Sequence, residues 1–189
     1  MTIIKSPSEA EATGQVARFY ADDIEDQGYV ASYTKVMSLN PEALIAFENL
    51  TRAIARPMGK RRYELVTLAA ALGAKSRHCR LAHGRKSLQF FDEQQLVRIA
   101  GDYRDAGLTQ AEVVMMEFAE QVSGEAAEMT DAHSQRLRDV GFSDAEIVDI
   151  ALAAAVRNYY GRALQALAVE VDVQTDLSES LRDALIAGI

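Results

Sequence analysis

Apolar residues recur at three- and four-residue intervals along almost the whole chain, and no stretch shows the strict alternation of a half-buried strand. Ser6-Pro7-Ser8-Glu9 reads as a capping box with proline at the first helical position, predicting a helix to about Asp26 that Gly28 ends. YVASYTKVMSLN predicts a short helix, and Asn40-Pro41-Glu42 opens another with Leu44, Ile45, Phe47 and Leu50 at helical spacing. Arg61 to Leu72 is strongly periodic, Gly73 reads as its stop, and Ser76 opens a helix to about Phe90. Asp92 caps the next helix, and Thr130 caps a short one ending before Gly141. Two further capping boxes, Thr109-Gln110-Ala111-Glu112 and Ser143-Asp144-Ala145-Glu146, precede apolar runs, the second reaching about Val169. LSESLRDALIAGI predicts a last amphipathic helix. The expected class is all-α, one domain over residues 1–189, with a core at about 40–170 and helical extensions at 1–39 and 176–189.

Composition supports that class, since alanine and leucine dominate and only 3 prolines interrupt. A net charge of −8 argues against nucleic acid and anionic membranes, both of which need a basic stripe. No apolar run approaches the length of a membrane span, and MTIIKSPSEAEATG has no signal-peptide core, so a cytoplasmic protein is expected. The 1 cysteine excludes an intramolecular disulfide and any Cys-x-x-Cys pair.

A weak echo links ELVTLAAAL, from Glu64, to EIVDIALAA, from Glu146, 82 residues later. At that offset Lys75 pairs with Arg157 and Arg80 with Arg162, suggesting two related helical units about a pseudo-twofold axis. Two alanine-rich amphipathic helices also look somewhat alike without any such relation. The copies differ in their chemistry. Ser76, His78, Cys79 and His83 of the first correspond to Asn158, Tyr160, Gly161 and Gln165 of the second, so reactive types occur in one copy only.

With Ser76 as N-cap, Cys79 takes the third position of its helix, where free N–H groups and the helix dipole favour an anion. A thiolate there is the nucleophilic form. His83, four residues on, lies on the same helix face and can take or return the thiol proton. His78 points about a quarter-turn away, and Glu64 can accept from either histidine if the two helices fold together. Each residue has a plainer reading: a buried structural cysteine, a simple N-cap, a satisfied core histidine, an acid favoured at a helix start. Zinc on Cys79, His78, His83 and Glu64 is conceivable, but adjacent ligands at 78 and 79 with one sulfur make poor geometry. No metal and no cofactor are expected.

Glu64, Ser76, His78, Cys79 and His83 together resemble the signature of the alkylhydroperoxidase D-like (AhpD-like), carboxymuconolactone decarboxylase superfamily. That signature is a glutamate, an interval, then Cys-x-x-Cys-x-x-x-His, often with a histidine before the second cysteine. Order and spacing match, except that Ser76 stands where the first cysteine belongs. RRYELVTLAAA, CRLAHG, GYVASYTKVMSLNPEAL and DYRDAGLTQAEVVMMEFA further resemble the peroxidase-related branch, over about residues 15 to 170.

The resemblance implies an all-helical, self-associating protein in which Cys79 is the peroxidatic residue, His83 and Glu64 the proton relay, and His78 an auxiliary. It also puts the resolving role on Ser76, which cannot close a disulfide. Sulfenic acid formation survives this substitution, but regeneration then requires an external thiol or redox-protein reductant. The leading expectation is thiol-dependent reduction of a small hydroperoxide. A decarboxylase-like acid–base enzyme using Glu64 and His83 is one alternative; for it no evident substrate-carboxylate clamp exists, although Arg77, Arg80 and Arg85 lie close by in sequence. A non-catalytic oligomeric scaffold is the other.

Overall fold

A computed structural model describes residues 2–189. Ten α-helices make up the fold, and no strand occurs among the described residues. They are α1 (Gly14–Gln27), α2 (Ser32–Met37), α3 (Pro41–Met58), α4 (Lys60–Gly73) and α5 (Arg77–Ser87), followed by α6 (Glu93–Asp102), α7 (Gln110–Gly124), α8 (Asp131–Asp139), α9 (Asp144–Ala166) and α10 (Glu179–Ile186). Helix α4 runs through the middle, buried without interruption from Tyr63 to Ala71, and packs against α7, α9 and α5. A helix apolar on every side has to be enclosed in this way.

Two arginines at the start of α4 register the neighbouring helices. Arg61 pairs with Glu112 and Arg62 donates to Glu146 at 2.7 Å. Both glutamates close the capping boxes predicted from sequence, on Thr109 and Ser143, so each N-terminus is capped and clamped by the same carboxylate.

The first helix begins later than the pattern predicts. In place of the predicted Ser6–Glu9 box, Ser8 donates its N–H at 2.9 Å and its hydroxyl at 2.7 Å to the Glu11 carboxylate, but the turn stops there. Thr13 is extended and Gly14 takes φ +57, which breaks helical continuity, and α1 starts only at Gly14. Residues 9–11 form a turn, and the Tyr20 hydroxyl donates to the Pro7 carbonyl at 2.9 Å, holding the segment against the body.

Helix α4 ends at Gly73, as the pattern predicts, but the glycine does not supply the left-handed turn. The left-handed residue after α4 is Lys75, φ +53, and the bonds Ser76 N–H to Ala71 O and Lys75 N–H to Leu72 O, both 2.9 Å, form a Schellman closure. Gly73 instead permits close helix packing, since a Cβ there would lie 2.2 Å from the Glu120 carbonyl oxygen on α7. Ser76 both ends that closure and caps α5, which stops at Ser87 rather than Phe90.

The 82-residue echo does not reach local structure. Arg157 and Asn158, at the positions echoing Lys75 and Ser76, lie inside the uninterrupted α9, which closes only at Ala168, φ +49. The first copy breaks into two helices and the second does not.

Apolar burial falls into two clusters. The larger joins α4, α6, α7, α9 and α10, and the smaller combines Phe19, Tyr20, Val30, Val36 and Leu44 with Cys79, Tyr160 and Leu164. The N-terminal helices thus cover the cysteine. Arg80, beside it in sequence, is fully buried and bonds only to carbonyls: Leu185 at 2.8 Å, Ala100 at 2.7 Å and Leu68 at 3.4 Å. Ala100 and Leu185 sit in the last turns of α6 and α10, whose dipoles favour a cation there.

Candidate functional site

The α4–α5 turn sets the geometry. Ser76 Oγ accepts from the Cys79 N–H at 3.5 Å, so the cysteine occupies the third position of α5. It is 4 % exposed, and its thiol makes no hydrogen bond among the described residues. Folding α5 back on α4 brings His83 to Glu64, with Nδ1 to Oε2 at 2.6 Å. On the other side of the imidazole, Nη1 of Arg157 from α9 lies 2.9 Å from Nε2.

These contacts fix protonation. An arginine can only donate, so Nε2 accepts and the Nδ1–H donates to Glu64. Burial first, then the Arg157 and Lys86 charges, oppose a proton on His83 and outweigh Glu64, holding the imidazole pKa down to about 4. Glu64 is also buried, which alone would raise its pKa; the His83 hydrogen bond and the nearby Lys86 and Arg157 hold it below the ordinary carboxylate value. The resting line is carboxylate, neutral imidazole, guanidinium.

Arg157 is 5 % exposed. Its Nη2 reaches Thr51 Oγ1 at 3.5 Å, its guanidinium carbon stands 5.2 Å over the Phe47 ring, and its Nε has no hydrogen-bond partner.

Beside this line lies a cavity of about 220 Å³, bordered by Cys79, His78, His83 and Arg157 and walled by the rings of Phe19, Tyr33, Phe47 and Tyr160. Asp22, Asp23, Asp26 and Glu48 also border it. Burial pushes the Tyr160 phenol well above its usual pKa, with Tyr33 and Cys79 adding to the effect, so both tyrosines stay neutral. Three of the five residues predicted from sequence face this cavity; Glu64 stands behind His83, and Ser76 lies beneath the cysteine. His78 is turned to a loop, its Nε2 3.0 Å from the Glu170 carbonyl. Among the described residues no three His, Cys, Asp or Glu side chains converge as a metal site. A larger groove of about 780 Å³ elsewhere includes none of the five.

The three arginines near the motif do not reach the cavity. Arg77 bonds the Ile189 carbonyl, Arg85 pairs with Asp26, and Arg80 is consumed by its three carbonyls. The arginine that does face it, Arg157, was absent from the set predicted from sequence. Its signal was present all the same: 153, 157, 160 and 164 are one buried face of α9, and a charge in that register needs a partner.

No family model and no curated protein matches the chain by sequence. Solved structures do. An uncharacterized peroxidase-related protein from Ralstonia eutropha JMP134, described as an alkylhydroperoxidase AhpD core, superposes with a TM-score of 0.79 at 18 % identity, covering 98 % of this chain and 96 % of that one. An uncharacterized peroxidase-related protein from Silicibacter sp. TM1040 gives 0.79 at 26 % identity, over 91 % and 92 %. The debrominase Bmp8, as a C82A variant with 2,3,4-tribromopyrrole, gives 0.76 at 16 % identity, over 98 % and 96 %.

Proposed function

By fold the chain belongs to the AhpD-like superfamily, and from that premise we propose that it reduces small, uncharged hydroperoxides through Cys79, with an external thiol as reductant. The observation that carries this reading is the meeting, at one cavity, of a first-turn cysteine with the buried Glu64–His83–Arg157 line. Four acids against Lys86 and Arg157 leave the cavity lining with an excess of negative charge, which disfavours anionic substrates, and its aromatic walls favour an apolar group on the peroxide.

Cys79 sulfur attacks the terminal peroxide oxygen, the O–O bond breaks, and the alkoxide leaves: Cys–SH + ROOH → Cys–SOH + ROH. The proton lost by the thiol ends on the alkoxide. His83 relays it through Nε2, and Glu64 compensates the transient imidazolium from the other side. Arg157 turns its freed N–H, with the unpartnered Nε–H, toward the developing negative oxygen. Two thiols then restore the cysteine: Cys–SOH + 2 R′SH → Cys–SH + R′SSR′ + H₂O.

Intact-mass analysis after stoichiometric organic hydroperoxide tests this directly. One added oxygen on the protein, lost on adding thiol and absent from Cys79→Ser, is the expected result. An unmodified Cys79, or turnover that survives Cys79→Ser, overturns it in favour of acid–base chemistry or a scaffold role.

The four aromatic walls favour one second reading, reductive dehalogenation of a planar ring: ArX + 2 R′SH → ArH + R′SSR′ + HX. Thiol-dependent halide release from a polyhalogenated pyrrole or phenol, without peroxide turnover, would select it.

A further inference from the structure

The cavity at Cys79 is polarised along its depth. Among its charged lining residues Arg157 is buried, as Cys79 is, whereas Asp22, Asp26 and Glu48 are exposed, with one exposed cation, Lys86. The inner end thus holds a guanidinium whose Nε has no hydrogen-bond partner, and the outer end an excess of carboxylates. Asp23 also borders the cavity, but its carboxylate accepts the Ala31 N–H at 2.9 Å. Arg18 and Arg52 approach Asp22 and Glu48 only to 3.9 and 3.7 Å, Arg85 pairs with Asp26, and none of the three borders the cavity. Exposed pairs of this kind are weak, so the carboxylates stay open to an entering cation.

This polarity bears on the reductant. The chain has no second cysteine to resolve Cys79, so a thiol must come from outside, and its attacking form is the thiolate. A simple thiolate is an anion and is repelled at the outer carboxylates. A thiolate joined to an ammonium group enters with no net charge. Its sulfur then faces Arg157 and Cys79, and its ammonium stays among Asp22, Asp26 and Glu48. Size argues against a protein dithiol, since Cys79 is 4 % exposed at a cavity of about 220 Å³. That volume is below the roughly 300–1,000 Å³ of ordinary ligand pockets.

We propose that the reductant of Cys79 is a small aminothiol, selected by Asp22, Asp26 and Glu48. The inference rests on the reading that Cys79 is the reacting thiol. Sulfur–sulfur bond formation releases water: Cys–SOH + HS–R–NH₃⁺ → Cys–S–S–R–NH₃⁺ + H₂O, the thiol proton leaving with the sulfenic hydroxyl. A second aminothiol then cleaves the mixed disulfide, giving Cys–SH and the free disulfide of the aminothiol.

Reduction of the peroxide-oxidised full chain, followed by intact mass, tests this with cysteamine, 2-mercaptoethanol and mercaptoacetate at equal thiolate concentration. At low ionic strength cysteamine should be roughly tenfold faster than 2-mercaptoethanol and roughly a hundredfold faster than mercaptoacetate, and salt should compress the order. Asp22→Asn combined with Glu48→Gln should bring the three rates within about threefold of one another. Equal rates in the wild type, an order unmoved by the double variant, or faster reduction by thioredoxin overturns the proposal and leaves peroxide reduction by Cys79 standing. A second arm needs no peroxide: cystamine should form a mixed disulfide with Cys79 roughly tenfold faster than bis(2-hydroxyethyl) disulfide. That order without any oxidation by peroxide refutes the peroxide reading alone, and a Cys79 untouched by either disulfide overturns both.

Discussion

Nη1 of Arg157 lies 2.9 Å from Nε2 of His83, on the side of the imidazole away from the Glu64 carboxylate. A permanent donor at Nε2 forces the proton to Nδ1, where Glu64 accepts it. His83 is therefore held neutral and aligned, with a carboxylate behind it to receive the positive charge of a passing proton. The histidine thereby becomes a relay rather than a standing base.

Replacing the guanidinium should show this. Arg157→Met removes a charge that opposes protonation of His83, so the imidazole pKa should rise from about 4. An NMR titration of the His83 Cε1 proton reads it. Losing one member of a buried charged set costs about 3 kcal/mol, so the titration is best paired with Arg157→Lys, which keeps the charge. A His83 pKa unmoved in Arg157→Met would remove Arg157 from the relay.

Acid should weaken the fold through the same residue. The folded pKa of His83, about 4, lies below its ordinary 6.5, so between these values the unfolded chain binds a proton that the native chain refuses. Stability is then lost as pH falls from 6.5 toward 4, by about 3 kcal/mol in all. Denaturant unfolding across this range should show the slope, and His83→Gln should flatten it.

Ser76→Cys should rebuild a resolving thiol. Ser76 Oγ is 3.5 Å from the Cys79 N–H, one turn away on the same side. The variant should lose two hydrogens on peroxide treatment as a disulfide to Cys79 forms, and should turn over with a dithiol. Weakening the N-cap costs about 1 kcal/mol. Persistent sulfenic acid in the variant would mean that the turn holds the two sulfurs apart.

Two glycines separate stability from chemistry. Gly73→Ala drives a Cβ into the Glu120 carbonyl, 2.2 Å away, and backbone cannot yield cheaply. A loss of about 3 kcal/mol with the alkylation rate of Cys79 unchanged in the folded fraction is expected. Gly161→Ala places a Cβ 3.0 Å from Ser76 Oγ and 3.8 Å from Cys79 Sγ. It should cost about 1 kcal/mol and alter the alkylation rate of the thiol. Equal behaviour of the two variants would contradict this assignment.

The all-α class and most helix starts were legible in the sequence because caps are local. Ser76 to Cys79, Asp92 to Gln95, Thr109 to Glu112 and Ser143 to Glu146 each join residues three apart, so the residues that make the bond are written side by side. The same locality misled at Ser6, whose predicted box with Glu9 gives way to bonds from Ser8 to Glu11, and Gly14 forbids a helix through them. The turn that sets Ser76 under Cys79, and the spacing that places His83 on the same face of α5 as Cys79, were likewise readable. Packing alone decided the rest. Arg157 comes to His83 across 74 residues, His78 is drawn off to the Glu170 carbonyl, and Gly73 answers to the backbone of another helix. A buried charge must find its partner among whatever groups the fold brings within 3 Å or so, and that choice belongs to the assembled helices rather than to any stretch of the chain.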